Sequence, residues 1–171
     1  MAATKKRADT KKRSQDKVEQ TEMESVSALD LLEKDHQEVD DFFDEYENLE
    51  DAGEKGKMAL KICLALTVHT QIEEEIFYPA AREAIEKAEL IDEAIVEHAS
   101  AKQLIAEIEE MDASNELYDA KVKVLGEQVR HHIEEEEGEM FPEAEEVLGE
   151  RLERLGTQMQ ERKQQLMASM K

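Results

Sequence analysis

From Ser27 onward, apolar positions recur at steps of three and four, the spacing of one helix face. The first stripe is Leu29, Leu32, His36, Val39, Phe43 and Tyr46. It predicts a helix over about 27–50, with Ser27 and Asp30 as start signals and a closing turn around Gly53 and Gly56. A second stripe, Met58, Ile62, Ala65, His69, Ile72 and Ile76, predicts a helix over 57–78. Pro79 should break or kink it, and a short continuation to Ala88 is expected. A third stripe over 89–111 runs Ile91, Ala94, His98, Ala101, Ile105, Ile108, and Asp112–Asn115 supplies the turn after it. The fourth, over 116–141, runs Tyr118, Val122, Leu125, Val129, His132, Glu136, Met140 and ends at Pro142. A last amphipathic piece carries Val147, Leu148, Leu152, Leu155 and Met159. Four long amphipathic segments with short connections predict an all-α antiparallel up-down four-helix bundle with a C-terminal helical extension.

Composition agrees with this reading. Of 171 residues, 39% are charged and 40% hydrophobic, only 4% are aromatic, and Gly (6) and Pro (2) are scarce, so a sheet with many tight turns is not expected. The formal charge is −22, which argues against the body of the chain gripping nucleic acid or an anionic membrane. The charge is unevenly spread. Residues 1–20 hold seven Lys or Arg and three acids, and residues 1–26 read as a disordered basic arm without apolar periodicity, a solubilising or charge-screening tail and the one place with the charge for weak contact with nucleic acid. Residues 27–171 form the bundle and its extension. The polar first twenty residues contain no signal-peptide core, and no apolar run is long enough to cross a membrane, so the expectation is a cytoplasmic protein without membrane partners. The single cysteine, Cys63, allows no internal disulfide and reads as a small buried hydrophobe.

Each of the four stripes contains one histidine at an inward position: His36, His69, His98 and His132. One such histidine is ordinarily a satisfied core residue. Four of the chain's five, one per helix, would be costly to bury without partners, and one shared ligand would satisfy them together. Glu73 follows His69 by four residues and Glu136 follows His132 by four, which stacks each pair on one helix face. The other members of the acidic runs Glu73–Glu75 and Glu134–Glu137 are expected to be solvated, as are Asp35, Glu97 and His131, which sit beside the inward histidines in sequence. An internal repeat ties these features together. His69-x-x-x-Glu73 with Pro79 recurs 63 residues later as His132-x-x-x-Glu136 with Pro142, and His36 recurs at an offset of 62 as His98. Tyr46 and Tyr118 are expected to pack in the core.

The pattern His36 … His69-x-x-x-Glu73 … His98 … His132-x-x-x-Glu136, with the stretches HTQIEEEIFYP and HHIEEEEGEMFP, resembles the hemerythrin-like (HHE cation-binding) family over about residues 27–145. The resemblance implies a four-helix bundle holding two iron ions, oxo- or hydroxo-bridged, with those four histidines as ligands and those two glutamates as bridges. Imidazole with carboxylate also suits manganese or zinc, which rank behind iron here. The oxygen carriers of the family have a fifth histidine where this chain has Lys102, so an open coordination position on each metal is implied in place of stable oxygen carriage. The implied function is binding, sensing or detoxifying O2, NO or peroxide, with support of iron–sulfur cluster repair as one use. The alternative is an iron-binding or storage module without turnover. Between these, and on turnover and oligomeric state, the sequence is silent.

Overall fold

The structure is a computed structural model and describes residues 26–170; the basic-arm reading falls on residues 1–26 and so lies, Val26 apart, outside the described residues. The bundle consists of α1 (Ala28–Glu47), α2 (Ala52–Ile72), α4 (Glu89–Glu110) and α5 (Tyr118–Glu135). A short α3 (Tyr78–Arg82) extends α2, and α6 (Phe141–Leu148) extends α5. The C-terminal helix is α7 (Arg151–Ser169). α1 packs on α2 and α5, and α4 packs on α5 and α2, which closes the ring of four; α7 lies outside it against α1 and α2.

The stripes fold inward as their spacing requires. Every member of the first, third and fourth is buried; in the second, Ala65 and Ile76 are half-buried, and Leu66 and Cys63 share the core face. The core falls into two clusters. One joins Leu32, Ile72, Phe77, Tyr78, Ile91 and Phe141 to α7 through Leu155 and Met159. The other contains Phe43, Tyr46, Ile62, Cys63, Tyr118 and Leu125 toward the far end of the bundle. The inward histidines lie in the layer between them.

Three element boundaries differ from expectation. Gly53 and Gly56 do not form the closing turn; they sit in the first turns of α2, which starts at Ala52. Asp51 accounts for the early start, since its carboxylate accepts from the Glu54 amide (2.9 Å) and satisfies an N-terminal donor. The helices do not break at Pro79 and Pro142. Each widens into one turn of π-helix, Glu73–Phe77 and Glu136–Met140, in which the amide of Tyr78 donates to Glu73 O and that of Phe141 to Glu136 O, five residues back. The proline that follows cannot donate, and its ring would strike the carbonyl four residues earlier in a regular α-helix; the wider turn removes that clash. Third, the last amphipathic piece is two helices. Gly149, at φ +48°, a conformation costly for side-chain-bearing residues, separates α6 from α7 and leaves Val147 exposed.

α7 sits so close to the start of α1 that a Cβ at Gly156 would lie 1.9 Å from the carbonyl oxygen of Val26. Gly156→Ala should therefore cost about 1–3 kcal/mol in urea or thermal unfolding by pushing α7 off α1. Gly138→Ala, with nothing within 4 Å of its Cβ, should be neutral or slightly stabilising. Equal effects of the two changes would mean that α7 is not docked as described.

Candidate metal centre

The six inward polar residues meet in one buried cluster. His36 Nε2 and His69 Nε2 are 3.2 Å apart on one side, and His98 Nε2 and His132 Nε2 are 3.2 Å apart on the other. Between the two pairs stand Glu73 and Glu136, exposed by 0% and 1%. Glu73 turns one oxygen to each pair: Oε1 is 3.2 Å from His69 Nε2 and Oε2 is 3.3 Å from His98 Nε2. Glu136 spans the pairs with a single oxygen, Oε2 lying 3.3 Å from His36 Nε2 and 3.4 Å from His132 Nε2. The two glutamates reach this position by regular α-helical spacing, the amide of each donating to the carbonyl of the histidine four residues back, and the π-turn widens the helix only after them.

The donor atoms form two overlapping sets, His36, His69, Glu73 and Glu136 in one, and Glu73, His98 and His132 in the other. Separations of 3.2–3.4 Å between donors match neighbouring ligands around one metal ion, about 3 Å for bonds of about 2.1 Å at right angles. Neither oxygen of Glu73 has a hydrogen-bond partner, nor has Glu136 Oε2. A buried carboxylate in that state is destabilising unless a cation satisfies it. The residues present therefore fit a pair of metal ions.

Electrostatics points the same way. Burial and the charge of Glu136 push the Glu73 carboxyl up, but His69 and His98 more than offset them, so it remains ionised below the ordinary carboxylate range. Burial opposes ionisation of Glu136 as well, and His132 and His36 carry it well below that range. Burial lowers the basicity of His69, yet Glu73 and Asp35 raise it to about 10; likewise burial lowers that of His132, and Glu136 and Glu97 raise it to about 11. Without metal, the cluster balances its carboxylates with imidazolium protons.

Behind each imidazole stands a carboxylate on a neighbouring helix, and here the expectation of solvated neighbours fails. His36 Nδ1 donates to Glu137 (2.8 Å), His98 Nδ1 to Glu74 (2.9 Å) and His132 Nδ1 to Glu97 (2.6 Å). Asp35 lies behind His69 at 3.6 Å. A residue adjacent to a ligand in sequence does point off that ligand's own face, but in a closed bundle it points at the next helix. Asp35, beside His36, therefore serves His69, and Glu97, beside His98, serves His132. Donation from Nδ1 leaves Nε2 to face the centre. Lys102, at the fifth-histidine position of the carriers, donates to both oxygens of Glu74 (2.6 and 2.7 Å). His131 is exposed, as expected.

Sequence reasoning missed Tyr78. Its hydroxyl donates to Glu136 Oε1 (2.7 Å) and lies 3.2 Å from His98 Nε2, inside the cluster. Burial, together with Glu73 and Glu136, holds its hydroxyl protonated. The repeat was the available signal, since an aromatic residue precedes each proline. The counterpart, Phe141, stacks on His36 (5.8 Å, 8°) with no hydroxyl to offer. Tyr46 and Tyr118 pack in the distal core, and burial pushes the Cys63 thiol up to about 12, the inert hydrophobe expected. A cavity of about 30 Å³ touches all four histidines and is capped by Val39, Leu66, Ala101 and Val129. Among the described residues, no helix is long and apolar enough to cross a membrane.

Comparison with known proteins bears on this geometry. A hemerythrin HHE cation-binding domain-containing protein from Mycobacterium kansasii has a similar fold, with a TM-score of 0.73 at 24% identity over 84% of this chain and 89% of that one. A DNA nickase from Nostoc sp. (strain PCC 7120 / SAG 25.82 / UTEX 2576) is 25% identical over 121 residues; the match spans 71% of this chain and 34% of the nickase. The Hemerythrin HHE cation binding domain matches residues 27–144, the whole four-helix ring with its histidine layer. The chain belongs to the hemerythrin HHE cation-binding domain family.

Proposed function

We propose that the cluster holds two iron ions, one between His36 and His69 and one between His98 and His132, with Glu73 and Glu136 reaching both. We propose further that the pair serves to bind O2, NO or peroxide. The observation that carries the proposal is Glu73, fully buried, ionised, with both oxygens unpartnered and one directed at each histidine pair. Iron held by these residues would supply reversible one-electron chemistry and bind a small ligand. The rest belongs to this chain. The carboxylates behind the imidazoles fix ring orientation, the Tyr78 hydroxyl donates a hydrogen bond to Glu136 Oε1, and the small apolar-capped cavity excludes bulky ligands while admitting a diatomic. Lys102 braces Glu74 instead of entering the centre, which leaves that side open.

The protein as isolated should contain about two irons per chain, with a near-ultraviolet band that bleaches on reduction and shifts with NO or peroxide. Slow, stoichiometric release of iron to a chelator with no response to any of the three would favour an iron-holding module instead.

The two glutamates provide a sharper contrast. Glu73→Gln or Glu136→Gln should abolish binding of the ion pair, leaving one ion per chain or fewer, whereas Glu75→Gln and Glu134→Gln should leave metal content unchanged. Glu134 is exposed, and among the described residues Glu75 pairs with Arg162 and Gln71 at the surface. Equal behaviour of all four would refute the ligand assignment.

Protons provide a third check. With His69 and His132 raised from 6.5 to about 10 and 11, the metal-free fold binds more protons than the unfolded chain above pH 6.5. The stability contributed by these two histidines should then be full below pH 6.5 and be lost as pH rises from there through 10–11, while that of Glu73 and Glu136 is lost only in acid. Metal uptake at pH 7 should release about two protons per chain, followed with an indicator dye. Uptake without proton release would contradict the charge balance described.

A further inference from the structure

Outside the buried cluster, His131, Glu135 and Glu97 bring their donor atoms within 4.8 Å of one another. His131 Nε2 is 3.3 Å from Glu135 Oε1 and 3.7 Å from Glu97 Oε1, separations close to those of neighbouring ligands on one cation. Glu97 connects the outside to the inside: Oε1 faces His131 while Oε2 accepts from His132 Nδ1. A cavity of about 10 Å³, the size of one water, adjoins the two carboxylates and is bordered by Glu97, Glu135, His132 and Glu136 and by the apolar Leu90, Ala94 and Met140. Glu136, whose unpartnered Oε2 faces the inner cluster, thus borders the same small space as Glu97 and Glu135.

The internal repeat provides a control within the same molecule. Shifted back by its 62–63 residues, Glu97 corresponds to Asp35, His131 to Val68 and Glu135 to Ile72. On that half, Val68 and Ile72 are buried apolar residues, and the cation beside Asp35 is the ammonium group of Lys163 from α7. On the half that α7 does not cover, no lysine or arginine pairs with Glu97 among the described residues. Two acids and an exposed imidazole (62%) stand there instead. A surface ion pair of His131 with Glu135 alone would be worth only a few tenths of a kcal/mol. It would not account for the outer oxygen of Glu97 facing the same imidazole, or for the cavity that Glu97 and Glu135 share with Glu136.

We propose that His131, Glu135 and the outer oxygen of Glu97 form a loading site for a divalent transition-metal cation, through which ions pass by way of Glu136 to the inner cluster. The proposal rests on the inner cluster being a metal site. The net charge of −22 concentrates cations at this surface, and the imidazole selects transition metals over calcium or magnesium. Glu97 then has two functions, holding His132 from one oxygen and receiving the incoming ion on the other.

Stopped-flow uptake of Co2+ by the full metal-free chain tests this against a variant carrying His131→Ala and Glu135→Gln, both outside the inner cluster. The variant should reach the same final two-ion spectrum at a rate at least tenfold lower, and at excess Co2+ it should bind about one ion fewer per chain. Equal rates with equal stoichiometry would overturn the loading site. If neither chain gave a two-ion spectrum, the inner assignment would fail. The outer site would then stand or fall on whether the variant still binds one Co2+ fewer.

Discussion

Everything in this fold depends on one expensive act, the burial of the Glu73 carboxylate between four imidazoles in the middle of an apolar core. Neither oxygen of that group makes a well-formed hydrogen bond, only close approaches to imidazole nitrogens, and no water-exposed edge relieves it. The surrounding structure compensates in layers. The histidine pairs face it, a carboxylate on a neighbouring helix stands behind each imidazole, and lysines brace two of those carboxylates, Lys102 on Glu74 and Lys163 on Asp35. Charge alternates outward from Glu73 to solvent. Such a network is costly if half satisfied, which explains why its members lie in one tight layer between two separate apolar clusters.

The repeat gives this network its near two-fold form, and the departures from symmetry separate the two halves. Tyr78 places a hydroxyl on one side where Phe141 places only a stacked ring. α7 covers one half and contributes Lys163, while the other half opens at Glu97 and His131. The two donor sets are therefore similar in their inner residues and different in the hydroxyl and the surface that adjoin them. A dinuclear centre that takes up ions on one side and handles a small ligand on the other would use that difference.

Much of this was legible in the sequence. Three- and four-residue steps fix the inward face of each helix, and a histidine in each of four stripes, with two glutamates one turn on, marks the inner six residues. The rest was hidden for a geometric reason. Asp35, Glu74, Glu97 and Glu137 each point off the face of the ligand beside them, so a single-helix argument sends them to solvent. Only the closed ring turns that direction toward an imidazole on the next helix. The π-turns were hidden too, since Pro79 and Pro142 announce a disruption without saying that the chain widens and continues. Gly53 and Gly56 resemble a turn until Asp51 caps the helix ahead of them. Tyr78 reads as an ordinary aromatic until Glu136 is seen across the bundle.

The central claim is that Glu73 lies between two metal ions. Anomalous diffraction at the iron absorption edge, from crystals of the protein loaded with ferrous iron and washed free of excess, tests it most directly. The account predicts two strong peaks in the histidine layer, one at His36 and His69 and one at His98 and His132, with a Glu73 oxygen directed at each. A single peak, or iron bound only at the surface with the histidine layer empty, would contradict it.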